Sequence, residues 1–212
     1  MLAGLGVLLA FTLFAAVIGS FFDSDLESLG ARLYLQAALA AGLLGVAFLA
    51  AGNDGFAAPS ALGLGRSLRS PIVPLLIALG AYLLAANVIY QLLQPEQEDV
   101  TRELGFGESS LGDIASFVLI VIAAPLSEEI FFRGFMFAGI RFRAPFAVAA
   151  LVSAGIWGLF HYTGSDSWPV VLQLTVFGVI LCWLYERTGS IRGPIFLHMV
   201  NNLIAFIVAT SG

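Results

Sequence analysis

The stretch ASFVLIVIAAPLSEEIFFRGFMFAGI, residues 115–140, is long and apolar enough to cross a bilayer, yet it holds Glu128, Glu129 and Arg133. A hydrocarbon core about 30 Å thick takes roughly 20 apolar residues of helix. Ionisable groups inside such a helix are expensive, so they face the bundle interior, pair with one another and mark a site. The placement of these three residues decides how the rest of the chain is read.

The whole chain supports a membrane setting. Of its 212 residues, 59% are hydrophobic and only 11% are charged, against about 25% charged in an ordinary soluble domain. Its mean hydropathy is +0.97. So little charge cannot cover a water-soluble globule, and an all-α, polytopic helical bundle in lipid is expected. The net charge is −5, which argues against a nucleic-acid partner, since that would want a basic face. Cys182 is the single cysteine; it lies in an apolar run, where it reads as a packing residue, and no internal disulfide is possible.

Apolar segments near spanning length occur at 2–22, 33–51, 71–93, 114–140, 145–162, 168–186 and 193–210, which predicts about seven spans in a single membrane domain, 1–212. The first lacks the basic n-region of a signal peptide and is longer than a typical h-region, so it reads as a retained span. Arg66, Arg69, Arg141, Arg143, Arg187 and Arg192 all fall in alternate loops. Six of the nine arginines thus share one side, and the positive-inside rule makes that side cytoplasmic. The N-terminus is then expected in the cytoplasm and the C-terminus outside, with Arg32 against the trend.

Inside the spans the ionisable residues are few: Glu128, Glu129, Arg133, His161 and His198, the last two being the only histidines. Glu129 and Arg133 are at i,i+4 in the favourable acid-before-base order and can neutralise each other. Glu128 lies about 100° around the helix and is the carboxylate left free to act as a general base. His198 and Asn202 are one turn apart on span seven, and both could donate hydrogen bonds to a developing oxyanion. His161 would share a water with Glu128. This set describes hydrolysis by activated water. Glu128, His161 and His198 also make a plausible zinc set with an open position for water, and sequence leaves both readings open. No G-x-S-x-G or H-E-x-x-H pattern occurs.

Each group has an ordinary reading on its own: a structural ion-pair network, an interfacial histidine, or interhelical hydrogen-bonded glue. Their joint occurrence in one small bundle favours a functional site. Trp157, Trp168 and Trp183 read as packing or interface-belt residues, and Asn87 and Gln173 as interhelical hydrogen-bonders.

EEIFFR (128–133) fits E-E-x-x-x-R, HMVNN (198–202) fits H-x-x-x-N, and His161 closes a span between them. In that order the chain resembles the CPBP family, the CAAX proteases and bacteriocin-processing enzymes also called the Abi family. The resemblance covers roughly 114–210, the expected catalytic core, and leaves the three spans within 1–93 as generic hydrophobic segments. It implies a helical intramembrane endopeptidase similar to type II CAAX prenyl endopeptidases, in which Glu128 and His161 activate water while His198 and Asn202 form the oxyanion site. A glutamate mechanism requires no cofactor; older descriptions of the family as metal-dependent leave zinc open. The expected partners are a peptide or protein substrate at the membrane and the lipid bilayer, in a prokaryotic plasma membrane. One departure stands out: the family's F-x-x-x-H has Trp157 in place of the phenylalanine. The runner-up is a non-catalytic binding or immunity protein using the same polar cluster. A proton-coupled transporter fits less well, because no inverted repeat is evident.

Straight helices pose a geometric problem. At 1.5 Å per residue, Glu128 falls about 20 Å below the outer loop and His161 only a few ångström below it. The groups meet only if Pro125 kinks span four or span five has other bounds.

Overall fold

The computed structural model describes residues 29–52, 62–64, 71–95 and 100–211. The expected span at 2–22 and most of the loop at 52–70, with Arg66 and Arg69, lie outside the described residues. Six helices carry the architecture: α1 (Leu29–Gly52), α2 (Ile72–Leu93), α3 (Ser110–Arg141), α4 (Phe146–Leu159), α5 (Trp168–Thr188) and α6 (Arg192–Thr210). All but α4 are long and apolar enough to cross a membrane. The protein is a membrane helical bundle.

Local sequence sets the ends of these helices. Pro71 and Pro74 open α2, where a missing N–H is least costly. Ser109 caps α3 by accepting the Gly112 N–H at 3.1 Å, the usual role of serine at a helix start. α5 ends at Gly189 with φ +68°, a left-handed conformation that glycine adopts without strain. Thr188 then donates to the Leu184 carbonyl at 2.7 Å, and the chain turns at once into α6.

The bundle inverts the soluble pattern on its outer surface. Ile72, Leu76, Leu83, Leu84 and Leu92 of α2 are exposed, whereas α2 buries only Ala78, Tyr82 and Ile89. A water-facing surface of this kind would carry a large hydrophobic cost; lipid removes it. Gln173 donates to the Tyr82 hydroxyl at 3.3 Å and ties α5 to α2, the interhelical role expected of it. Asn87 is exposed and bonds to no other side chain among the described residues. Cys182 is fully buried in the core.

α4 and α5 are among the most closely packed helices, and small residues explain why. A Cβ at Gly158 would stand 2.8 Å from the Val171 carbonyl oxygen, and one at Gly178 would stand 2.7 Å from the Ala154 Cβ. Small residues let helix backbones approach closely, the main source of helix association in lipid.

α3 is not a straight α-helix. It widens twice into i→i+5 turns, at Val118–Ala123 and at Glu129–Phe137, with ordinary α-helix at Ala124–Glu128 between them. Pro125 accounts for the first. The Ala124 N–H goes to the Leu119 carbonyl, five residues back, and residue 125 has no N–H to give. The Ile120 carbonyl therefore loses its donor from within the helix. Asn202 of α6 supplies one, its Nδ2 lying 2.9 Å from that oxygen. The second widened stretch is anchored from α4, where buried Ser153 donates to the Phe132 carbonyl at 2.7 Å. Wide turns of this kind cluster at functional sites.

α4 is shorter than the expected span 145–162. It holds 14 residues, about 21 Å of helix, and ends when the N–H groups of His161 and Tyr162 bond three residues back, to Gly158 and Leu159. His161 thus lies two residues beyond the end of the helix, in the turn that follows it.

If Asn202 satisfies a carbonyl orphaned by Pro125, Asn202→Leu should cost about 1–3 kcal/mol, the usual penalty for an unsatisfied buried acceptor. Pro125→Ala should restore a backbone donor and recover part of that loss. Thermal unfolding of the purified single and double variants in detergent checks both expectations; additive losses would count against the link.

Candidate active site

The second widened stretch of α3 begins at Glu129 and buries Glu129 and Arg133 completely, each with 0% exposure. Arg133 Nη1 donates to Glu129 Oε1 at 2.8 Å, the i,i+4 pair expected from spacing. His198, 3% exposed, brings Nδ1 to the same oxygen at 2.9 Å. A carboxylate oxygen only accepts, so the bond places a proton on Nδ1 of His198. One oxygen thus joins α3 to α6. Among the described residues, Arg133 Nε and Nη2 and Glu129 Oε2 have no hydrogen-bond partner.

The guanidinium is accommodated by shape and by aromatic contact. A Cβ at Gly178 would stand 2.8 Å from Arg133 Nη2, so α5 offers a gap where any side chain would intrude. The Arg133 guanidinium carbon lies 4.5 Å from the centre of the Trp157 ring, a favourable cation–π arrangement in a site without water screening.

Glu128 takes no part in that ion pair. It is half-buried, and Trp157 Nε1 donates to its Oε2 at 2.6 Å. His161 Nδ1 lies 3.0 Å from the Trp157 carbonyl oxygen. A carbonyl only accepts, so Nδ1 carries the proton and Nε2 keeps its lone pair. The Trp157 ring also packs edge to face with His161 at 5.4 Å and with His198 at 5.3 Å between centroids. Phe177 closes the far side, 5.7 Å from the His198 ring.

The structure therefore gathers Glu128, Glu129, Arg133, His161 and His198 around one indole. Asn202 is set one turn along α6 from His198. One of its amide hydrogens is committed to Ile120, and its Oδ1 accepts from Asn201 Nδ2 at 3.2 Å. The second amide hydrogen remains to donate.

Trp157 is the residue whose part the sequence reading missed. It is 1% exposed, so the interface-belt option does not hold, and its N–H reaches the Glu128 carboxylate only because α4 packs against α3. The signal was present: Trp157 occupies the slot one turn before His161, where the family pattern has phenylalanine, and only tryptophan adds a donor there.

Among the described residues no three His, Cys, Asp or Glu side chains are grouped so as to hold an ion. Nδ1 of each histidine is engaged, with Trp157 or with Glu129, so only Nε2 of either ring could face an ion. We derive no step through a metal.

Residues 110–204 match the family described as type II CAAX prenyl endopeptidase Rce1-like. The chain is 29% identical over 149 residues to the Bacillus subtilis (strain 168) protein named "Putative membrane peptidase YdiL", covering 68% of this chain and 57% of that protein. It is 28% identical over 127 residues to "UPF0177 protein YxdF" of Lactococcus lactis subsp. lactis (strain IL1403), covering 58% of this chain and 68% of that protein. The chain thus spans less than two thirds of the length of the first of these relatives. No solved structure matches the chain. Residues 110–204 are thus similar to the type II CAAX prenyl endopeptidase Rce1-like family.

Proposed function

We propose that this protein is an intramembrane endopeptidase that hydrolyses peptide bonds of membrane-associated substrates by activating water. The observation that carries the reading is the meeting of Glu128, His161 and His198 around Trp157, with the second carboxylate, Glu129, already neutralised. The family match and the peptidase name carried by a relative support the same reaction class.

In this reading Glu128 Oε1 and His161 Nε2 are the atoms with free lone pairs. They hold a water and take its proton as its oxygen attacks the scissile carbonyl. The carbon becomes tetrahedral and its oxygen takes the negative charge. Asn202 donates its second amide hydrogen to that oxyanion. His198 is the second donor to that oxyanion, through Nε2, on a ring whose Nδ1 is held by Glu129. Donors fixed before the reaction stabilise charge strongly in a site that excludes water. The proton held by Glu128 and His161 then passes to the amide nitrogen, the C–N bond breaks, and the two peptide products leave. A bacterial plasma membrane is the proposed location, with the N-terminus proposed in the cytoplasm and the C-terminus outside, a reading that the positive-inside pattern supports.

The two adjacent glutamates separate the catalytic from the structural contribution. Glu128→Gln should remove peptidase activity by about 10²- to 10⁴-fold, the worth of a general base, while the protein still folds. Glu129→Gln should instead destabilise the bundle by about 3–5 kcal/mol, because it leaves Arg133 buried without a counter-charge. Cleavage of a membrane-peptide library by purified protein in detergent, with unfolding curves for each variant, checks the pair. An active Glu128→Gln protein would sink the mechanism; a folded wild type that only retains a peptide would favour a binding role.

A further inference from the structure

We infer that Trp157 is the positioning residue of this site, keeping Glu128 apart from the buried ion pair and fixing the free atoms of Glu128 and His161; the inference rests on the hydrolytic reading above. Two adjacent carboxylates compete for a single arginine. Where a helix widens to i→i+5 turns, residues five apart move toward the same face, and Glu128 and Arg133 are five apart. Sequence spacing alone would therefore let Arg133 capture either glutamate.

The indole prevents that capture from two directions. Its face lies over the guanidinium at 4.5 Å, and its N–H edge holds Glu128 Oε2 at 2.6 Å. Arg133 is left to Glu129. Trp157 acts a second time through its backbone, since its carbonyl holds Nδ1 of His161 at 3.0 Å. One residue thus determines which oxygen of Glu128 and which nitrogen of His161 are free. Its own position is fixed by α4: Ser153, one turn earlier, is bonded to the Phe132 carbonyl of α3.

Trp157 touches no reacting atom in this scheme, so its loss should alter turnover rather than substrate binding. Trp157→Phe keeps a ring over Arg133 and the backbone carbonyl, and deletes only the N–H. With the peptide that wild type cleaves, kcat should fall about 10- to 100-fold, the worth of a hydrogen bond to a charged group, with KM within about 2-fold. Groups acting as a unit lose activity non-additively, so Trp157→Phe/Glu128→Gln should be no slower than Glu128→Gln alone. A wild-type kcat in Trp157→Phe, or losses that multiply, would overturn the inference.

A second measurement does not depend on turnover. The chain has three tryptophans, so ¹⁵N-indole labelling gives three N–H resonances in detergent. The one lost in Trp157→Phe should shift in Glu128→Gln. If it stays in place while the enzyme is active, the coupling falls and the hydrolytic reading survives. If it shifts in a protein that cleaves nothing, the hydrolytic reading falls and the indole–carboxylate coupling survives.

Discussion

A guanidinium with no solvent exposure must be neutralised inside the bundle, and much of this structure is arranged around that requirement. Among the described residues Arg133 pairs with Glu129 Oε1, which it shares with His198. Removing two charges from water is costly, and only close geometry offsets it. The sharing therefore fixes α6 against α3, Gly178 leaves space on α5, and the Trp157 ring of α4 covers the cation. Three neighbouring helices are positioned by the needs of one side chain.

The same arrangement divides the labour of the two glutamates. Glu129 is consumed by structure, whereas Glu128, a single residue earlier, faces a neutral donor and keeps one oxygen free. A neutral N–H orients a carboxylate without cancelling its charge, which an arginine would do. Residues so close in sequence acquire different chemistry because their surroundings differ, the general route by which paired carboxylates take on separate roles.

Backbone irregularity contributes as much as side chains. The wide turns of α3 offer carbonyls to neighbouring helices, and Asn202 and Ser153 donate to them. Each bond is local, yet each also fixes a helix–helix distance at the site. Asn202 consequently joins stability to the proposed chemistry, with one amide hydrogen given to the scaffold and another left to donate.

The sequence by itself determined the membrane setting, the helical class, most helix bounds, the Glu129–Arg133 pair and the short list of polar residues worth attention. These follow from composition and helical spacing, which are local properties. It extended α4 past the tight turn that ends it at Leu159, and it left the meeting of Glu128, His161 and His198 unexplained, because that meeting depends on how the helices pack. The part played by Trp157 was also decided only by the tertiary structure: a tryptophan in an apolar run reads as packing until another helix places a carboxylate at its N–H. Spacing along a chain reports which side chains share a face, but contacts between helices depend on distortions and close approaches that arise only when the whole bundle packs.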